Sequence, residues 1–106
     1  MSRREEVVAL MRSAQERLIA AFESADGHAT FSHHDWQRPG GGGGWARVLE
    51  GGNLFEKAGV NMSAVHGERV PPSLARRHPQ AEGKPFFATG VSLVLHPLNP
   101  FVPAFH

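Results

Sequence analysis

The chain contains no cysteine, which removes disulfides, zinc fingers, iron–sulfur clusters and thiol nucleophiles at once. A reducing compartment is consistent with that absence. Charge of either sign is not in excess either: the formal net charge is +1, so nothing electrostatic argues for nucleic acid or an anionic membrane as a partner. Neither is expected. No stretch approaches the roughly eighteen consecutive apolar residues that span a bilayer. The start, Met1-Ser-Arg-Arg-Glu-Glu, turns acidic immediately, unlike a signal or transit peptide. These absences lead to the expectation of a soluble cytoplasmic protein. There is also no internal repeat.

What is present suits a globular chain. With 106 residues, 41% of them hydrophobic and 20% charged, there is room for one domain, 1–106, with a modest core. Twelve Gly and 8 Pro predict much loop. Residues 2–24 read as an amphipathic helix, because Val7, Met11, Ala14, Leu18 and Phe22 recur at three- and four-residue steps. Ser2 and Glu5 form a capping-box pattern, and Asp26-Gly27 supplies a stop. Such a face packs on its own core or binds a partner, the former being the ordinary case.

Beyond the helix the period becomes alternating, with strands expected near 30–36, 45–50, 54–65 and 86–96. Glu50-Gly-Gly-Asn53 fits a hairpin turn, since glycines tolerate positive φ. Residues 70–85 carry Pro71, Pro72, Pro79 and Pro85 among Arg69, Arg76, Arg77 and Lys84. They predict an exposed loop with at most one short helical turn. The resulting class is α+β, a helix followed by antiparallel strands.

Seven histidines raise the question of metal. His33 and His34 are adjacent, so on a strand their imidazoles face opposite ways and do not chelate together. His28 and His78 lie in turn-like sequence and are expected in solvent. His66 closes a strand, and its face is not fixed by sequence. His96 is different. Alternation over residues 86–96 puts Val91, Leu93 and Leu95 on one face and Ser92, Val94 and His96 on the other. Ser92 and His96 would stand roughly 13 Å apart, which suits two contacts to one large ligand. Pro97, Pro100 and Pro103 then recur with the polyproline II period, which if straight would carry His106 roughly 31 Å from His96. Joining the two histidines requires a turn around Leu98-Asn99-Pro100.

The glycine run at 40–44 matches a dinucleotide fingerprint by letter as Gly41-x-Gly43-x-x-Ala46, yet no helix can follow before Gly51-Gly52. No Lys-Ser/Thr follows, so it is not a P-loop. A flexible linker is one reading. Trp36 and Trp45 bound the run, which favours the other, a loop lying close against a ligand or another backbone.

Three longer patterns occur in order: Trp36-Gln-Arg-Pro-Gly-Gly-Gly-Gly-Gly-Trp-Ala-Arg-Val-Leu49, Phe55-Glu-Lys-Ala-Gly-Val-Asn-Met-Ser-Ala-Val-His-Gly-Glu68, and Gly90-Val-Ser-Leu-Val-Leu-His-Pro-Leu-Asn-Pro-Phe-Val-Pro-Ala-Phe-His106. Together they resemble oxygen-dependent coproporphyrinogen III oxidase, from the first helix to the last residue. Family members are severalfold longer, so the likeness is to their N-terminal part.

The resemblance implies oxidative decarboxylation of two propionates of coproporphyrinogen III to vinyl groups, giving protoporphyrinogen IX, carbon dioxide and hydrogen peroxide in haem biosynthesis. Molecular oxygen is the co-substrate, and no organic cofactor is implied. The electron-rich pyrrole reacts with oxygen directly, and the protein orients the ring and manages protons. By position, His106 matches the family's proton donor, a role imidazole suits near neutral pH. Ser92 matches a substrate-contacting serine. His96 and His106 match the positions of metal ligands in some bacterial members, so a divalent metal such as manganese is allowed without being required. The implied fold is a larger antiparallel sheet flanked by helices, usually as a homodimer. Most arginines that would meet the substrate's carboxylates are missing from these residues, so the chain alone is expected to be inactive. The alternative is a non-catalytic module that binds tetrapyrrole or metal without turnover.

Overall fold

The computed structural model describes residues 2–106. Helix α1 spans Arg3–Asp26, two residues beyond the expected end. Both halves of the capping box form: the Glu5 N–H donates to Ser2 Oγ at 3.2 Å and the Ser2 N–H to Glu5 Oε2 at 3.3 Å, which satisfies two donors the first turn leaves unpaired. At the other end Gly27 adopts φ 76° and donates to the Glu23 carbonyl.

Four strands follow, β1 (Ser32–Gln37), β2 (Gly42–Glu50), β3 (Phe55–Gly67) and β4 (Phe86–Pro97). They form one antiparallel sheet in chain order. All four expected strands exist; β2 starts three residues early, inside the glycine run. Between β3 and β4 lie α2 (Pro72–Arg77) and a 3₁₀ turn, Pro79–Ala81, so the basic segment is more ordered than its prolines suggest. Proline at the first helical position explains why it can start a helix there.

Registers show which residues share a face. Leu49 opposes Ala58, and Ala58 opposes Leu95; Arg47, Val60 and Leu93 form the next row, and Trp45, Met62 and Val91 the next. This face lies under α1. Leu49, Ala58 and Val60 are fully buried there with Phe31 and Phe55, and Leu18, Ile19 and Phe22 of the helix pack on them. Phe22 meets Phe55 edge-on, with ring centroids 5.8 Å apart. Full burial of a side chain such as Leu49 contributes about 1.5–3 kcal/mol.

The helix stripe expected from spacing is only half-buried. Its fully buried residue is polar: Gln15 Nε2 donates to the Trp45 carbonyl at 2.7 Å and to the Val60 carbonyl at 3.0 Å. Gln15 therefore fastens the helix to the β2–β3 ladder through hydrogen bonds that hydrophobic periodicity cannot reveal.

Asp26 is the second such fastener. Its carboxylate accepts N–H bonds from His28 and Ala29 and from Asn53, Leu54 and Phe55 across the β2–β3 turn, at 2.9–3.3 Å. These donors, Phe55 foremost, hold its pKa far below the ordinary 3.8. The turn glycines thus divide their work. Gly51 has φ 64°, as expected, whereas a Cβ on Gly52 would stand 2.1 Å from Asp26 Oδ2. Close approach, not positive φ, requires the second glycine.

Candidate functional site

The opposite face of the sheet has no helix upon it among the described residues. Its rows, read across β1 to β4, are Ser32, Val48, Gly59 and Val94; His34, Ala46, Asn61 and Ser92; and Trp36, Gly44, Ser63 and Gly90. Small residues pave the centre and polar or aromatic groups stand around it. Gly90 has nothing within 4 Å of where a Cβ would be, so the floor there is open.

The glycine run builds part of this floor. A Cβ on Gly42 would meet the Ala64 carbonyl at 2.2 Å, and one on Gly43 the Trp36 carbonyl at 2.2 Å. Gly44 lies under the Trp36 ring, where a Cβ would come within 2.5 Å of it. Of the two readings of this run, the linker is wrong: its residues are strand and turn, and their missing side chains let neighbouring backbone and Trp36 close in.

Ser92 and His96 are both exposed on the open face, while Val91, Leu93 and Leu95 pack against the core, as alternation requires. The proline-paced segment is not straight. Asn99 turns it, its Oδ1 accepting the Phe101 N–H at 2.9 Å and its carbonyl the Val102 N–H at 3.1 Å. The Leu98 N–H is held by the Leu54 carbonyl. Phe105 then pairs with Leu95 through reciprocal backbone bonds of 2.7 and 2.9 Å. This bridge brings His106 beside His96, with ring centroids 5.4 Å apart and planes at 90°.

The remaining histidines fall where chemistry would not use them together. His34 bonds Ser32 Oγ at 2.9 Å, and His33 faces the other way, toward Asp35. His66 opposes Phe87, so it stands on the helix-covered face, away from Ser92 and His96. His28 and His78 are exposed. On the covered face, buried Arg47 donates to Asp35 at 2.6 Å, and that bond lowers the Asp35 pKa.

Metal-binding capacity can be judged from the histidine pair. With a metal–nitrogen bond of about 2.1 Å, two imidazoles on one ion at a tetrahedral angle have centroids about 5 Å apart. The observed 5.4 Å fits two ligands on one ion. No group of three His, Cys, Asp or Glu side chains converges among the described residues, so these two histidines alone do not complete a metal site.

Two residues of the open face were not singled out from sequence: Asn61 and Lys57. Asn61 is the register partner of Ser92, and Lys57 of His96. Alternation along β3 would place them on one face, but only register names the face they share with Ser92.

The chain is thus a helix-backed antiparallel sheet with an open, glycine-floored face and His96 beside His106. Comparison with known proteins makes the class specific. Residues 6–106 match the family model described as coproporphyrinogen III oxidase. The chain is 48% identical over 98 residues to the oxygen-dependent coproporphyrinogen-III oxidase of Parasynechococcus marenigrum, covering 92% of this chain and 27% of that protein. It is 46% identical over 103 residues to the oxygen-dependent coproporphyrinogen-III oxidase of Prochlorococcus marinus, covering 97% of this chain and 30% of that protein. The chain belongs to the coproporphyrinogen III oxidase family. It spans less than a third of the length of these relatives.

Proposed function

We propose that this chain provides the proton-donor wall of an oxygen-dependent coproporphyrinogen III oxidase. In that reaction each of two propionates loses carbon dioxide and two electrons to become a vinyl group, and oxygen takes up the electrons and leaves as hydrogen peroxide. The observation that supports the reading best is the convergence of His106 on His96, on the same open face as Ser92.

Under this reading Ser92 Oγ contacts the substrate and His106 delivers a proton, held in place by the Phe105–Leu95 bridge rather than by burial. The glycine floor lets the flat macrocycle approach the backbone. A divalent cation such as manganese, if bound, would be held by His96 and His106 with ligands from elsewhere, and would supply positive charge beside the substrate carboxylates. The enzyme needs no organic cofactor, works in the cytoplasm and acts as a homodimer.

The reading is tested by exchange. Residues 2–106 replace the matching segment of the Parasynechococcus marenigrum relative, and the chimera is assayed aerobically with coproporphyrinogen III. Conversion to protoporphyrinogen IX is expected; a folded chimera with no turnover would sink the proposal. A non-catalytic tetrapyrrole- or metal-binding module is the second reading, which rests on the same open face and histidine pair. It predicts binding by the chain without oxygen uptake.

A further inference from the structure

On the open face, a depression of about 360 Å³ is lined by Trp36, Asn61, Ser63, Gly90 and Ser92, among others. Asn61 and Ser92 are directly opposed across β3 and β4. Directly opposed side chains on a pleated sheet share a face, with Cβ atoms about 5 Å apart.

The Asn61 amide has a fixed orientation. Its Oδ1 accepts the Arg47 backbone N–H at 3.3 Å. An amide whose acceptor is engaged presents its NH2 on the other side, and here Nδ2 lies 3.7 Å from where a Gly59 Cβ would stand, with nothing else close to that point. Nδ2 therefore faces the open floor over Gly59, on the same sheet face as Ser92. No acidic side chain lines the depression. Two adjacent donors without a competing carboxylate are suited to an anionic, carboxylate-sized group. Trp36, lying over Gly44 and 43% exposed, bounds the other side with a flat apolar wall that suits the ring bearing such a group.

We propose that Asn61 is a substrate-binding residue whose Nδ2 donates to the same propionate carboxylate that Ser92 contacts, with Trp36 walling the pyrrole ring. This deepens the porphyrinogen reading of the open face and rests on it.

The test is calorimetric titration of the protein with coproporphyrin III, the stable oxidised form of the substrate, at constant pH. Asn61→Asp keeps an oxygen for the Arg47 N–H but replaces the donor with a negative charge. It is expected to weaken binding by about tenfold or more. Ser92→Ala is expected to weaken it by about three- to tenfold, and the double variant by less than the product, because both groups serve one carboxylate. Wild-type affinity in Asn61→Asp, with Ser92→Ala still weakened, overturns the proposal and leaves the porphyrinogen reading intact. Fully multiplicative losses overturn the shared carboxylate. Absence of binding by the chimera carrying the wild-type segment, titrated in the same way, overturns both. If Asn61→Asp unfolds, Asn61→Ala titrated below its melting temperature is held to the same criterion.

Discussion

The two faces of this sheet are made from the same four strands yet do opposite things. Beneath α1 the side chains are large and apolar, and the polar groups that intrude, Gln15 and Arg47, find partners within the fold. Across the pleat the centre is Gly44, Ala46, Gly59 and Gly90, and Ser92, His96 and His106 remain exposed. Alternation produces both outcomes from one backbone: every residue that strengthens the core places its neighbours on the open side. The open face can thus be changed without touching the core.

Changes at four residues would break or sharpen this contrast. His106→Ala in the chimera should lower turnover by about 10²–10⁴-fold, the usual worth of a positioned proton donor, while its melting temperature stays at the wild-type value. Unchanged turnover would remove His106 from the mechanism. On the covered side, Asp26→Ala should lower the melting temperature by roughly 10 °C or more, since it leaves the N–H groups of Asn53, Leu54 and Phe55 without their acceptor.

Asp26 also predicts a pH dependence. Because its folded pKa is depressed, its stabilisation is full above the ordinary value of 3.8 and fades as acid titrates the folded carboxylate. Melting curves of wild type should fall below about pH 4 more steeply than those of Asp26→Asn. Parallel curves would show that another carboxylate dominates acid unfolding.

Leu49→Ala should cost about 2–5 kcal/mol in denaturant unfolding, because Leu49 is fully buried between the sheet and α1. Smallest in stability is Ser92→Ala, expected within about 0.5 kcal/mol of wild type even where it loosens coproporphyrin III as proposed. If it destabilised the fold as Leu49→Ala does, the division between faces would be wrong.

Much of this was legible in the residue order. The capping box of Ser2 and Glu5, the stop at Gly27, four strands and the facing of Ser92 and His96 away from Leu93 and Leu95 all follow from local patterns, and each is present. Three features were not. Gln15 lies beside the apolar stripe, yet a polar side chain gives no sign of full burial, which depends on two carbonyls thirty and forty-five positions away. Gly52 looks like a turn glycine, whereas its lack of a Cβ serves Asp26. The glycine run looks as much like a linker as like packed strand.

The order of residues by itself determined the elements, the alternation that separates core from platform, and the motifs that carry the family likeness, because these depend on local geometry and on periods of 3.6 and 2. Tertiary structure alone decided the pairing of Asn61 with Ser92, the backbone ladder fastened by Gln15, and the meeting of His96 with His106. Each joins positions distant in the chain or reached only through a turn, so register and chain reversal, not composition, fix which groups touch.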